Sequence, residues 1–193
     1  MRETNGMGFH HLAIATRDLD ATHAFYTGAM GFTLERVSAA PTADQGWARH
    51  VFYDTGNGEQ IAFWDIHDDP TIGDFNPSIS KGLGLPEWTN HIAFDAPTLD
   101  DIASARQRWL DHGLYVYEID HGWCTSIYTT DPNGIMVEFC TTTKPATDDT
   151  RAEALEQTRE AITGYLEAAA RDGIPLPPPD ADTEVVELEV VAP

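Results

Sequence analysis

The feature that most constrains this chain is that it states one pattern twice. His11-Leu-Ala-Ile-Ala-Thr-Arg-Asp18-Leu19-Asp20 and His91-Ile-Ala-Phe-Asp-Ala-Pro-Thr98-Leu99-Asp100 each open with a histidine on an apolar run, place a helix-capping residue seven positions later, and continue with Leu-Asp. Self-similarity on this scale means two copies of one supersecondary unit. After the cap, each copy carries a helical stretch ending at Gly31 or Gly113, two strand-like runs, and a last strand behind a glycine turn. The pattern reads β-α-β-β-β. The predicted fold is therefore α+β, with modules over 8–67 and 89–142, a linker at 68–88 and an acidic tail at 143–193. The two leading histidines hold equivalent places, so packing the copies together brings His11 and His91 toward one cleft, the outline of a metal site.

Local signals support the division. Asp18 and Thr98 are N-cap residues ahead of helices running to about Gly31, with Phe25 and Met30 on its inner side, and to His112. Strands are predicted over 8–16, 32–40, 47–55 and 60–66 in the first copy and over 114–119, 125–130 and 135–141 in the second. Gly56-Asn-Gly58 is a hairpin signal, and Asp131-Pro-Asn-Gly134 is a turn that fixes the register of the last strand. In the tail, Leu155, Ile162, Leu166 and Ala169 form the stripe of an amphipathic helix over 148–171 closed by Gly173. Prolines at 175 and 177–179 impose an extended segment, and Val186, Leu188 and Val190 alternate with glutamates as a short strand. Trp47, Phe52, Trp64 and Trp123 lie on strands, where aromatics are expected in the core, with an aromatic substrate pocket as the alternative.

The chain has 193 residues, 41% of them hydrophobic and 10% aromatic, enough for one shared core. A net charge of −21, with Lys81 and Lys144 the only lysines, excludes nucleic acid and anionic membranes as partners. We read the acidity as a solubility property, adaptation to high salt being the other reading. No apolar run approaches the roughly 20 residues of a membrane span, and the N-terminus lacks the apolar segment of a signal peptide, so a soluble cytoplasmic protein is expected. Cys124 and Cys140 are spaced unlike a zinc pair and are expected to be reduced thiols.

Glu138, in Gly134-Ile-Met-Val-Glu138-Phe-Cys, sits in a strand between apolar neighbours. Burying an unpaired carboxylate there would cost several kcal/mol, so it needs a partner, and a divalent cation is the strongest; an outward-facing glutamate is the alternative. Four residues after the equivalent glycine in the first copy stands Ala62. One module thus offers His11, the other His91 and Glu138. His10 points to the opposite strand face, while His23, His67 and His112 are not expected to carry chemistry.

These pieces, His11-Leu-Ala-Ile-Ala, Asp18-Leu-Asp, Ala24-Phe-Tyr, Gly31-Phe, Asn90-His91-Ile-Ala-Phe and Ser126-Ile-Tyr128-Thr-Thr-Asp-Pro-Asn-Gly134 with Val137-Glu138-Phe, resemble the vicinal oxygen chelate superfamily over about 8–142. That superfamily includes glyoxalase I, methylmalonyl-CoA epimerase, fosfomycin and bleomycin resistance proteins and extradiol dioxygenases. The resemblance implies two modules forming one incomplete barrel around a metal cleft, with His11, His91 and Glu138 as ligands. Glyoxalases and epimerases add a fourth ligand where this chain has Ala62; Gln60 and Glu59 are the nearest substitutes. Two histidines and one carboxylate leave adjacent positions open, which suits Fe(II) with a chelating substrate and O₂. The implied function is thus an extradiol-type dioxygenase acting on a catechol-like small molecule. Tyr128 falls where such enzymes carry a substrate-binding tyrosine, His121 is near a further active-site histidine, and His50 substitutes for an unmatched base, with Gln60, Trp64 and Trp123 as pocket walls. The alternatives are a glyoxalase- or epimerase-type lyase or isomerase working through an enediolate with Zn, Ni, Co or Mn, or a non-catalytic small-molecule-binding resistance protein. Members are commonly homodimers. The tail segment Ala161-Ile-Thr-Gly-Tyr-Leu-Glu-Ala-Ala-Ala-Arg-Asp-Gly-Ile-Pro-Leu-Pro is similar to the C-terminus of HicB-type antitoxins, over the tail alone.

Overall fold

Each copy of the repeat builds one four-stranded sheet. The computed structural model describes residues 9–43 and 45–175; the strand expected at 186–190 and the prolines at 177–179 lie outside them. In the first module β1 (His11–Thr16) leads into α1 (Leu19–Ala24), which continues as a π-helical turn over Phe25–Ala29, and then come β2 (Thr33–Pro41), β3 (Trp47–Asp54) and β4 (Gln60–His67). The linker carries a short helix α2 (Ile79–Gly82) and a 3₁₀ turn over Glu87–Thr89. The second module follows with β5 (His91–Asp95), α3 (Leu99–Asp111), β6 (Tyr117–Asp120), β7 (Cys124–Thr130) and β8 (Met136–Thr142). Strand orders are β1-β4-β3-β2 and β5-β8-β7-β6, parallel at β1/β4 and β5/β8 and antiparallel elsewhere, and no closed barrel forms among the described residues.

The helices start where the capping residues require. Asp18 accepts from the Ala21 amide at 2.9 Å and Thr98 from the Asp101 amide at 3.2 Å, each satisfying a donor the first helical turn leaves free. The first helix ends less simply than its sequence suggests. It widens into a π turn, with the Met30 amide reaching back to the Phe25 carbonyl, and Gly31 reverses the chain at φ +75. Its last carbonyls are taken from across the module boundary: Arg108 on α3 donates to Ala29 and Met30 at 2.7 and 3.0 Å. A cation at a helix C-terminus is also favoured by the dipole.

Alternation along the strands gives each sheet a helix-covered face and an open one. Val51, Tyr53, Ile61 and Phe63 meet Tyr26 and Met30, while Ile127, Val137 and Phe139 meet Ile102 and Trp109. Both sets belong to one core, joined where Phe32 packs on Phe94 at 4.9 Å between ring centroids. A buried polar knot crosses the same boundary. Tyr26 donates to Asp131, Thr16 donates to Asn133, and Asn133 donates to Thr22.

Several expectations need correction. Trp47, Trp64 and Trp123 are not core residues but substantially exposed, and Phe52 is half-buried. Trp64 and Phe52 fall on the open face, Trp47 stacks on His67 at the sheet's end, and Trp123 precedes β7. The linker is partly helical, because Ser78 caps α2 through the Lys81 amide. β6 starts at Tyr117 and not at Leu114, since Leu114 and Val116 pack against the core instead of entering the ladder.

Residues from 146 form a separate unit containing α4 (Asp148–Asp172). Thr147 and Thr150 cap it reciprocally, Gly173 closes it at φ +66, and Leu155, Ile162, Tyr165 and Leu166 lie exposed along it. Among the described residues no helix is long and apolar enough to cross a membrane.

Candidate functional site

Register places the two modules' chemistry at matching positions with different side chains. Ala13 pairs with Ala62 in the first sheet, and Ala93 with Glu138 in the second; Phe52 lies opposite Ala62, and Tyr128 opposite Glu138. Glu138 and Tyr128 therefore share the open face, with His91 beside them at the start of the edge strand.

Glu138 is 5% exposed, and its Oε2 lies 3.0 Å from His91 Nε2. The other ring nitrogen of His91 lies 3.1 Å from the carbonyl of Trp88, supplied by the 3₁₀ turn that ends the linker. A carbonyl only accepts, so Nδ1 carries the proton there. In the neutral ring, Nε2 then directs its lone pair at a buried carboxylate, an arrangement that calls for a cation between the two, a proton or a metal ion. Fixing Nδ1–H on a backbone carbonyl while Nε2 faces the site is how metal-binding histidines are commonly oriented.

Tyr128 extends this array. Burial, with the Glu138 charge adding to it, raises its pKa above the ordinary tyrosine value. At neutral pH it remains a protonated donor. His121 Nε2 lies 2.9 Å from the Tyr128 Oη. The turn that presents His121 is fixed by the Gly122 amide on Asp120 at 2.7 Å and the His121 amide on the Cys124 carbonyl at 2.9 Å. Tyr128 and His121, both singled out in the sequence, are thus in direct contact.

The first sheet holds the remaining histidines. His11 has its ring 5.3 Å from Phe52 and 6.1 Å from His50. His10 does not point away from it, as alternation predicts: it precedes β1, and its Nδ1 turns to within 2.8 Å of His11 Nδ1. His50 stacks on Trp64 at 3.7 Å, its Nε2 is buried without a partner, and burial followed by the neighbouring His11 lowers its pKa. Among the described residues no three His, Cys, Asp or Glu side chains gather closely enough to hold a metal ion. His91 and Glu138 are together, and His11 stands with its own module's rings.

The donor chemistry of His91 and Glu138 fits a divalent cation, with His11 as the equivalent residue of the other sheet. A cavity of about 300 Å³ includes His91, Glu59, Gln60 and Leu12 in its walls, so both substitutes for the missing fourth ligand lie on the His91 side of the first sheet. A second cavity beside His91 and Tyr128 is walled by Trp88, Tyr117, Ile119 and Met136. Sequence reasoning missed these walls and offered Gln60, which lines the first cavity, together with Trp64 and Trp123, which line neither. Trp64 covers His50, and the Trp123 carbonyl anchors the amides of Thr143 and Lys144. The available sequence signal was positional, Trp88 lying three before His91, whereas Tyr117 is placed opposite Tyr128 by strand register.

Residues 8–139 match the family model described as Glyoxalase/Bleomycin resistance protein/Dioxygenase superfamily. Among solved structures, the chain is similar to a glyoxylase/bleomycin resistance protein/dioxygenase domain from Frankia sp. EAN1pec, at 16% identity and a TM-score of 0.56, covering 72% of this chain and 95% of that one. It is similar to TnmS3, an antibiotic binding protein from Streptomyces sp. CB03234, at 15% identity and a TM-score of 0.50, covering 72% and 98%. Lactoylglutathione lyase from Agrobacterium tumefaciens matches at 19% identity and a TM-score of 0.49, covering 71% and 95%. No curated protein matches the chain by sequence.

Proposed function

From the premise that this chain belongs to the glyoxalase/bleomycin resistance protein/dioxygenase superfamily, we propose that it is a metal-dependent enzyme of extradiol-dioxygenase type acting on a catechol-like small molecule. His91, Glu138 and His11 would hold the metal, Fe(II) in this reading. The observation that carries the proposal is the buried Glu138 carboxylate facing His91 Nε2 at 3.0 Å, with Nδ1 already committed to the Trp88 carbonyl. Bound Fe(II) would supply Lewis acidity toward vicinal oxygens and a site for O₂.

The chain's own residues supply the proton chemistry. Tyr128, held protonated by burial, donates a hydrogen bond to a substrate oxygen placed beside Glu138. His121, 2.9 Å from that hydroxyl at Nε2, takes up or returns the proton from the solvent side. His50, its pKa lowered and its Nε2 unpartnered, is the available neutral base on the other sheet. A homodimer is part of the reading, with β2 of the first sheet, exposed along its whole length and carrying Leu34 and Val37, as the contact surface.

A second reading is favoured by one observation: Glu59 and Gln60 line the same cavity as His91. A side chain from that pair would complete a four-ligand shell for Zn, Ni, Co or Mn and a lyase or isomerase reaction by proton transfer. Metal analysis of protein purified without chelator, followed by oxygen uptake on a catechol panel, tests the choice. Metal-dependent oxygen consumption supports the first reading. Stoichiometric metal without oxygen uptake favours the second, and absence of bound metal leaves small-molecule binding alone.

A further inference from the structure

The cavity beside His91 has an unusual wall chemistry for a site expected to take a polar substrate. It measures about 210 Å³ and is formed by Trp88, His91, Tyr117, Ile119, Tyr128 and Met136. A neighbouring groove of about 460 Å³ shares Trp88, Tyr117, Tyr128 and Met136 and adds Tyr115 and Glu87. Among the described residues neither wall contains a lysine or arginine. The one acid in the groove, Glu87, already holds Lys81 at 2.6 Å and accepts from Thr130, which spends the nearest cation. Trp88 is 66% exposed and Tyr117 53%, so two large rings stand open in the cavity wall, Tyr117 lying 6.3 Å from the Tyr128 ring between centroids.

We infer that this cleft selects a flat, uncharged or cationic ring and rejects molecules carrying a carboxylate, phosphate or phosphonate, with Trp88, Tyr117 and Met136 as the specificity-determining residues. Apolar rings in the wall stack on a flat ligand and attract a cation through their faces. Against the Trp88, Tyr117 and Met136 walls an anionic group meets no side-chain counter-charge and loses its hydration without replacement. The volume lies below the roughly 300–1,000 Å³ of drug-sized pockets, which limits the inner ligand to one or two fused rings. A cation is present on the open face of the first sheet, Arg36, but it stands opposite Phe52 on that sheet's outermost strand, away from this wall. The inference rests on the proposed function only in taking His91 and Glu138 as the reacting end of the cleft; the ring preference follows from the walls alone.

Equilibrium dialysis of the full chain, stripped of metal by a chelator that is then removed, against 2-naphthol and 2-naphthoate tests it, since the two share a ring system and differ in the charge of their one substituent, and without metal the carboxylate has no cation to coordinate. Working at 0.5 M NaCl shortens the Debye length to roughly 4 Å and removes the general repulsion from the acidic surface. The naphthol should bind at least tenfold more tightly. Trp88→Ala and Tyr117→Leu, both changes at exposed rings, should each weaken it several-fold, and Met136→Lys should narrow the difference between the probes. Arg36→Gln should change neither. Equal or tighter binding of the naphthoate overturns the inference, as does naphthol binding untouched by both ring substitutions. Naphthoate binding abolished by Arg36→Gln would also overturn it, by moving the ligand to the other sheet. A separate arm compares catechol with phenol on metal-supplemented protein: no advantage for catechol sinks the metal reading while leaving the naphthol result to stand or fall by itself.

Discussion

Asp131 offers the sharpest test of how the two modules are held together. It is 4% exposed, and its carboxylate accepts four hydrogen bonds: the Asn133 and Ile135 amides at 2.9 and 2.8 Å, the Tyr26 hydroxyl at 3.1 Å and the Asn133 side chain at 3.1 Å. Asp131→Ala leaves the Tyr26 hydroxyl stranded, because that residue is 0% exposed and water cannot replace the partner. It also frees two turn amides, while Asn133 keeps its bond to Thr22. Each orphaned buried donor costs about 1–3 kcal/mol. Against this stands the relief of removing a carboxyl that burial penalises, which shows as a pKa raised from its ordinary value. We take a net loss of about 3 kcal/mol, a large part of the 5–15 kcal/mol that holds a typical domain. Urea unfolding at pH 7 measures it, with Tyr26→Phe as companion: that variant removes one of four bonds and should cost about 1 kcal/mol. The double variant should fall short of the sum, since Asp131→Ala has already stranded the hydroxyl that Tyr26→Phe deletes. A loss below about 1 kcal/mol for Asp131→Ala, or strict additivity, would refute the claim that this knot joins the modules.

The same carboxyl gives a pH prediction. Its folded pKa is raised, so the folded state binds the proton more tightly than the unfolded state, and stability contributed through this group falls as pH rises from the unfolded value near 4 through the folded value; the stability of the parent relative to Asp131→Asn should therefore decline over that window in urea titrations and then level off. Glu138→Ala should abolish retention of a divalent metal, measured by elemental analysis; full occupancy in the variant removes Glu138 from the shell. Tyr128→Phe should leave stability and metal content nearly unchanged but lower turnover by roughly 10²–10⁴-fold, and activity within about threefold of the parent makes Tyr128 a wall residue. A chain ending at Lys144 should still bind metal, because every proposed ligand precedes α4; an emptied site would bring the tail into the chemistry.

Repetition carried the fold in the sequence: once His11 and His91 are aligned, the caps at Asp18 and Thr98, the turns and the pairing of Ala62 and Glu138 with their strands all follow. What was hidden depended on which face of a strand meets a helix. Trp64 and Phe52 have the composition of core residues, and only the sheet's sidedness puts them in the open. The π turn at Phe25–Ala29 has its end carbonyls capped by Arg108, a residue far along the chain whose role no local pattern encodes. The Trp88 carbonyl on His91 arises from a 3₁₀ turn inside a segment that reads as plain linker. Residue types in the site were legible, and the contacts that tune them were not.

The asymmetry between Ala62 and Glu138 has a further meaning for how such a chain can change. A duplicated unit begins with both halves equally equipped, and here one half keeps a methyl group where the other keeps a carboxylate, at the same register beside the same alanine. That small difference leaves the first half free to vary without dismantling what the second half holds. Ala62 is 0% exposed, so an acid at position 62 would have to displace neighbouring side chains or find a cation as partner.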